Sequence, residues 1–493
     1  MVAPTTNGAK SQTYRFSADS IVPFWLEGKE IVTESTFDVI SPLDQKVLYR
    51  CASASERDVD NAVSAAQKAL DGWSNTKPKA RQDIFLRAAE EFKRRRDEHR
   101  HYSYTETGAA EAMFGFEFNG AYDMFRTIAG LISVASESSS PVVDAAGSSA
   151  LVIKEPYGVV LAIAPWNAPH VLGLRASLQP LAMGNTVVLK GPEAAPGTYW
   201  AIADVLHAAG LPAGCLNTIY HRPQDAPRIT SALIAHPAVQ KVNFTGSTAV
   251  GSIIASLAGK HLKPTVMELG GKAPAIVCDD ADLQKAASQC ALGAFLHAGQ
   301  ICMSTERIIV HATIAEEFQQ VLRASVDHLF SDGTTPPPQL ISQIPVEKNN
   351  KLLADAVSKG AKILYGDVNH DAISKTAMRP VVVGGVTLQM EIYQTESFGP
   401  TVALYIVSSD DEAIKLANDT DYGLSSAVFT EDLRRGLRIA RRLESGAVHI
   451  NSMSVHDESG LVHGGVKKSG FGRFNAMAGL AEWTRTKTVT WQD

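Results

Sequence analysis

The chain has 493 residues, 45% of them hydrophobic and 20% charged, with 52 acidic against 46 basic side chains and a net charge of -6. That length calls for two or three domains, and the slight acidity gives no electrostatic footing for nucleic acid or an anionic membrane. No low-complexity tract and no internal repeat is present.

The opening MVAPTTNGAKSQTYRF lacks the apolar core of a secretion signal, so residues 1–13 read as a flexible leader and a cytoplasmic location is expected. The five cysteines (Cys51, Cys215, Cys278, Cys290, Cys302) are scattered, without CxxC or zinc-type spacing, which fits reduced thiols and predicts no metal. The longest apolar run, VVLAIAPW, is too short to cross a bilayer.

From 56 to 100 the spacing of apolar residues predicts helices, and the run RRRDEHRH reads as the end of a solvated helix face. Short apolar strands then alternate with helices. GVVLAIAP (158–165) is a strand, followed by a helix to about Met183. NTVVLK (185–190) is the next strand and TYWAIADVLHAAG (198–210) the next helix. LNTIY (216–220) and KVNFTG (241–246) are two more strands with a helix between them. Such alternation predicts a parallel sheet covered by helices on both faces, with ligands at the carboxyl ends of its strands. A second α/β run follows: APAIVCDD, the helix ADLQKAASQCALGAFLHAG, then ERIIVHAT and EFQQVLRASVDHLF. SDGTTPPPQ (331–339) reads as a Pro-rich loop within it. Two α/β lobes meeting at a cleft are expected.

Four stretches carry possible chemistry. In FTGSTAVG (244–251), Gly246 and Gly251 flank Ser247-Thr248 after a strand, so a tight turn opens a helix whose free N–H groups suit a phosphate. The same residues also serve as plain helix punctuation. In VMELGGKAP (266–274), Glu268 precedes a Gly-Gly turn, where a half-buried carboxylate suits general-base work and a surface glutamate is the simpler alternative. In PWNAP (165–169), the Asn167 amide is either an oxyanion donor or a turn residue. In GAFLHAGQICMSTERIIV (293–310), Cys302 is either core filler or a nucleophile.

Taken in order, FTGS, ELGGK and GQICMS resemble the aldehyde dehydrogenase superfamily, together with PWNAP, LKGPE (189–193), ESFGP (396–400) and GGVKKSGFGR (464–473). The resemblance runs from about residue 20 to the end. It implies an aldehyde dehydrogenase-like α/β fold: a Rossmann-type NAD-binding domain (14–129 and 151–267), an α/β catalytic domain (268–450) and an oligomerisation element (130–150 and 474–493) that makes a homodimer or homotetramer.

The resemblance also implies roles. Cys302 attacks the aldehyde carbon, Asn167 and the Cys302 N–H hold the oxyanion, and Glu268 activates the water that hydrolyses the thioester. Cofactor residues are implied at Trp166, Lys190, Glu193, Phe244, Gly246, Ser247, Gly251, Leu269, Glu396 and Phe398. An acidic Glu193 near the ribose hydroxyls favours NAD over NADP.

Departures from the family pattern concern the substrate. Ala168 stands where many relatives carry an aromatic residue, His297 where Asn is common, and GRFNAMAGL lacks the acidic residue that commonly follows GR. PWNAPHVLGLRASLQP and HDESGLVHGGVKKSGFGRF are most similar to salicylaldehyde, vanillin and benzaldehyde dehydrogenases. Expected pocket residues are Ala168, Leu172, Arg175, Tyr122, Ile301 and Met303. Arg175 either binds a phenolic oxygen or pairs with a carboxylate. Phe118 and Tyr122 are either aromatic walls or core. A broad or aliphatic dehydrogenase, a coenzyme A-acylating relative, a catalytically silent homologue and a thiol esterase are the alternatives. Intact Glu268, Asn167 and Cys302 speak against the acylating and silent forms.

Overall fold

The computed structural model describes residues 14–330, 337–367 and 374–492. The expected leader (1–13) and most of the Pro-rich loop (331–336) lie outside the described residues.

Five apolar segments build a parallel sheet in the spatial order Thr265–Glu268, Val239–Thr245, Val159–Ile163, Thr186–Lys190 and Leu216–Ile219. Every residue of Val159–Ile163 and Thr186–Lys190 is buried, which is why these strands read as continuous apolar runs rather than alternating ones. Phe24–Leu26 and Lys29–Ile31 extend one edge and Gly470–Phe471 the other, each antiparallel to its inner neighbour. The chain winds outward from Val159–Ile163, then returns to Val239–Thr245 on its opposite side. This reversal leaves a crevice beyond Ile163 and Thr245, at the carboxyl ends where such sheets take ligands.

A second sheet of seven strands spans 273–450 in the order Lys362–Tyr365, Val381–Gly384, Thr401–Val407, Thr305–His311, Ala273–Val277, Ser425–Phe429 and Ala447–Ile450. All but Lys362–Tyr365 run parallel. A separate two-stranded ribbon pairs Ser148–Pro156 with Thr484–Gln492. The ribbon strand therefore begins later than the expected 130–150 segment, because Glu111–Ala135 is a helix. Met113, Phe114, Glu117, Phe118, Ala121, Met124 and Phe125 are all buried along it, a helical rather than a strand period.

RRRDEHRH is a solvated face only in part, with Arg94, Asp97 and Arg100 exposed. One helix ends at Arg94 and the next runs Arg96–Thr107, so the run spans a junction. Arg95 is turned inward, 2.7 Å from Glu98 and 2.6 Å from Asp204, and His99 is fully buried. A charge-rich string can enter the core when each charge meets a partner.

The helix before Cys302 is also shorter than the sequence suggests. It spans Leu283–Phe295, and the Leu296–Gly299 turn then places His297, Ala298 and Gly299 at φ of 50°, 57° and 73°. A Cβ on Gly299 would lie 2.2 Å from the Gly399 carbonyl oxygen, so only glycine fits. Asn is among the few side chains that tolerate left-handed backbone, which accounts physically for the Asn common at the position of His297.

One buried ion pair joins three loops. Lys272 Nζ lies 2.6 Å from Glu306 Oε2 and donates to the Thr395 carbonyl at 2.8 Å. Glu306 Oε1 in turn accepts from Ser397 N (2.8 Å), Ser397 Oγ (2.7 Å) and Phe398 N (3.1 Å). Both side chains are 4% exposed or less. Lys272→Met leaves Glu306 buried without its cation, and a loss of ~3–5 kcal/mol is expected. Urea unfolding checks it; a midpoint like that of the wild type would show that the pair is not a structural clamp.

Candidate active site

Asn167 enters from the first sheet. Val159–Ile163 ends in Pro165-Trp166-Asn167, and Pro169 then opens the helix Pro169–Ala182. Proline suits the first turn of a helix, where its missing N–H costs nothing. Asn167 Nδ2 donates to the Gln300 carbonyl at 2.9 Å, tying this turn to the Cys302 loop. An amide nitrogen carries two hydrogens, so one is left for a ligand oxygen.

The Cys302 loop is braced on every side. Gln300 Nε2 donates to His297 O and Gln339 O, at 3.0 and 3.1 Å. Ser454 Oγ holds the Met303 carbonyl at 2.7 Å. A Cβ on Gly271 would stand 2.2 Å from the Cys302 carbonyl oxygen, so the Gly-Gly turn of ELGGK is what lets the two loops touch.

Glu268 ends its strand, is fully buried, and has neither carboxylate oxygen hydrogen-bonded among the described residues. It faces the half-buried Cys302. Burial first, and then the Glu268 carboxylate, push the Cys302 thiol well above its ordinary value, with Arg175 pulling weakly the other way. At neutral pH the sulfur is therefore protonated and needs a base to become a nucleophile.

Two pockets meet at Cys302. One is lined by Trp166, Thr245, Gly246, Ser247, Glu268, Glu396 and Phe398. The other is lined mainly by apolar groups, among them Met113, Phe116, Met124, Ala168, Val171, Ile301 and Met303. Asn167, Leu172 and Cys302 line both.

The first pocket contains the crevice at the sheet's reversal. Ser247 caps the helix Thr248–Lys260 by accepting from Val250 N at 3.4 Å, which is the plain-cap reading of this turn. Glu396 accepts from Gly271 N at 2.8 Å, and burial pushes its carboxyl up to about 7. The Trp166 and Phe398 rings stand edge-on, with centroids 6.1 Å apart. Lys190 ends the neighbouring strand in register with Ile163, its ammonium depressed by burial and supported by Glu193. Lys190, Glu193, Phe244, Gly251 and Leu269 are not among the lining residues. A Cβ on Gly251 would meet Leu269 Cδ2 at 2.4 Å, and Phe244 lies under Gly246, so these residues pack the helix onto the sheet.

In the second pocket Tyr122 is absent. It lies on another face of Glu111–Ala135 and donates to Glu90 at 3.0 Å. Phe118 is core, stacked on Phe92 with centroids 4.4 Å apart. Arg175 does line the pocket, yet it is 2% exposed and ion-paired with Asp457. One nitrogen of its guanidinium is taken by the Asp457 pair, as a buried cation requires, while Nε has no partner among the described residues. The carboxylate pairing is therefore present, and the phenol-binding alternative stays a proposal.

Sequence reasoning missed Glu117, Asp457, Ser459, His463 and Lys348, which also line the two pockets. Asp457 and His463 belong to HDESGLVH, a stretch whose mix of charges and imidazoles was the available signal.

The comparisons agree with this geometry. A model of the aldehyde dehydrogenase family matches residues 25–489. A vanillin dehydrogenase of Pseudomonas sp. (strain HR199 / DSM 7063) is 43% identical over 479 residues, 96% of this chain and 98% of that protein. A salicylaldehyde dehydrogenase from Pseudomonas putida G7, solved in complex with salicylaldehyde, superposes with a TM-score of 0.92 at 36% identity, covering 96% of this chain and 98% of that one. A betaine aldehyde dehydrogenase from Staphylococcus aureus in complex with NAD+ gives a TM-score of 0.91 at 28% identity, covering 97% and 95%. With a family match over nearly its whole length and a cysteine, an asparagine and a glutamate gathered where two pockets join, this chain belongs to the aldehyde dehydrogenase family and is an aldehyde-oxidising oxidoreductase.

Proposed function

We propose that the chain oxidises an aromatic aldehyde to its carboxylic acid with NAD, by covalent catalysis at Cys302. The observation that carries this reading is the sharing of Cys302 and Asn167 between a polar crevice and an apolar pocket. The crevice fits a dinucleotide: a helix N-terminus at Ser247 offers unpaired N–H groups beside the strand ends at the reversal of the sheet. Ser247 and Gly246 would hold the pyrophosphate, Lys190 and Glu193 the adenosine ribose, and Glu396 the nicotinamide ribose beside Trp166 and Phe398. When bound, the cofactor supplies the hydride acceptor.

The residues of the chain do the rest. Glu268 takes the thiol proton, and the Cys302 thiolate attacks the carbonyl carbon. The developing oxyanion is held by the second Asn167 N–H and the Cys302 backbone N–H. After oxidation the acyl group is a thioester on Cys302, and Glu268 deprotonates the water that cleaves it. Ala168 opens the pocket beside Asn167, and the walls of Met113, Val171, Ile301 and Met303 suit a flat ring. The relatives named for vanillin and salicylaldehyde support an aromatic substrate. The exposed Ser148–Pro156 and Thr484–Gln492 ribbon, with Trp491 on its surface, is the proposed oligomerisation element.

Following NADH absorbance with benzaldehyde, vanillin and acetaldehyde, with and without coenzyme A, tests the function. Aromatic aldehydes are expected to give the higher kcat/KM without coenzyme A, and Cys302→Ala to abolish turnover while NADH still binds. Better turnover of acetaldehyde discards the aromatic assignment, and activity in Cys302→Ala discards the nucleophile.

Glu268→Gln is expected to slow steady turnover ~10²–10⁴-fold relative to wild type, the contribution of a positioned base, and to slow the NADH burst as well, because the thiol also gives its proton to Glu268. A burst of wild-type rate would remove Glu268 from the first step, and a steady rate near wild type would remove it as the base altogether.

Glu193→Gln removes the charge that repels a 2′-phosphate, so the preference for NAD over NADP should narrow. An unchanged ratio of kcat/KM for the two cofactors would put the ribose elsewhere.

A further inference from the structure

A buried carboxylate poorly supplied with donors is costly, and Glu268 is one: beyond the Cys302 thiol it faces, no donor reaches either oxygen among the described residues. Its nearest ring nitrogen is His463 Nε2, 3.9 Å from Glu268 Oε1, which is itself buried and unpartnered among the described residues. His463 lines the substrate pocket beside Cys302 and is 7% exposed. Its backbone is fixed by a two-way bridge to Phe474, with N–O distances of 2.9 and 2.7 Å. A small side-chain rotation, or one bridging water, closes the gap to Glu268.

The other face of the imidazole meets a fixed negative charge. His463 Nδ1 lies 4.0 Å from Asp457 Oδ1. Asp457 is ion-paired with Arg175 and accepts from Asn475 Nδ2 at 2.8 Å, and Gln179 holds Asn475 at 3.1 Å. Burial works against the Asp457 charge, but Arg175, His463 and Asn475 together hold its carboxyl below the ordinary range. The ionised form of Asp457 is thus the favoured one. His449 lies on this side too, its imidazole pushed down to about 4 by burial first and then by His456 and His463. The Arg473 guanidinium, 3.2 Å from where a Gly464 Cβ would lie, faces the backbone next to His463. Phe474 brings only a ring, with its centroid 6.4 Å from that of His463, at the position where the family pattern commonly has an acid.

We propose that His463 is the proton relay of the hydrolytic half-reaction, a positioning residue that acts through Glu268. The inference rests on the reading of Glu268 as the base. As water attacks, its oxygen bonds to the thioester carbon and its proton passes to Glu268. The carbonyl re-forms, the carbon–sulfur bond breaks, and Cys302 leaves as thiolate. Glu268 then hands its proton to His463 Nε2. The resulting imidazolium is stabilised by Asp457, and it releases the proton to solvent once the acid has left. Arg175 keeps Asp457 charged and in place, which gives its own burial a purpose. Glu268 is returned to its ionised form for the next turnover without having to reach bulk water.

The test compares His463→Phe, His463→Gln and Glu268→Gln with wild type, in NAD-dependent benzaldehyde oxidation by stopped flow and across pH. Binding of NADH verifies that each variant is folded. His463→Phe should keep a stoichiometric NADH burst while its steady rate falls about tenfold or more, part of the ~10²–10⁴ that a positioned base supplies. Its kcat profile should lose an ionisation on the acid side. His463→Gln keeps a donor for Glu268 but cannot carry a proton, so it should share both defects. A steady rate within about twofold of wild type in either variant overturns the relay, as does equal loss of burst and steady rate. If Glu268→Gln keeps full steady turnover, the base assignment itself fails. If only that variant is slow, the base stands and the relay falls.

Discussion

The Lys272–Glu306 ion pair is the point on which the catalytic centre hangs. Lys272 closes ELGGK, Glu306 follows GQICMST, and the backbone they hold belongs to ESFGP. Three stretches far apart in sequence are thereby fixed relative to one another by two charges and their satisfied hydrogen bonds. Inside a protein such a pair is stiff, since moving either member exposes an unpaired charge to a low-dielectric interior. The placement of Glu268, Cys302 and Glu396 follows from that stiffness. The Gly271 backbone resting on the Cys302 carbonyl adds a steric stop.

Within this frame the electrostatics of the thiol make sense. A cysteine whose proton is held tightly is inert toward stray electrophiles. The carboxylate that helps hold the proton in place is Glu268, the group proposed as its base. Left-handed backbone at His297 and Ala298 stores strain just ahead of the nucleophile, in a loop over-determined by Gln300, Ser304 and Ser454.

The first sheet was legible because its strands are buried on both faces and spell themselves out as VVLAI and TVVLK. Turn chemistry marked the ends of those strands, and Asn167, Ser247, Glu268 and Cys302 sit at such ends or in the loop behind them. What escaped had no period to follow. Along Glu111–Ala135 the pocket is faced by Met113, Phe116, Glu117, Gly120 and Met124. Phe118 and Tyr122 belong to a neighbouring stripe, and one residue on a helix turns a side chain by about 100°. Asp457 and His463 lie in a loop brought to the site by long-range pairing of Gly470–Phe471 with Thr265–Glu268, which no local pattern announces. Arg175 was placed correctly on the pocket side, but its partner, far off in sequence, could not be read from the helix.

The two pockets share only Asn167, Leu172 and Cys302 among their lining residues. That narrow overlap separates inheritance on the two sides of the sulfur. Walls drawn from Glu111–Ala135 and from the loop around Asp457 can change without disturbing the residues that line the other pocket. A new carbon skeleton is therefore met at one rim of the site, with Glu268 and Glu396 on the other side left where they are.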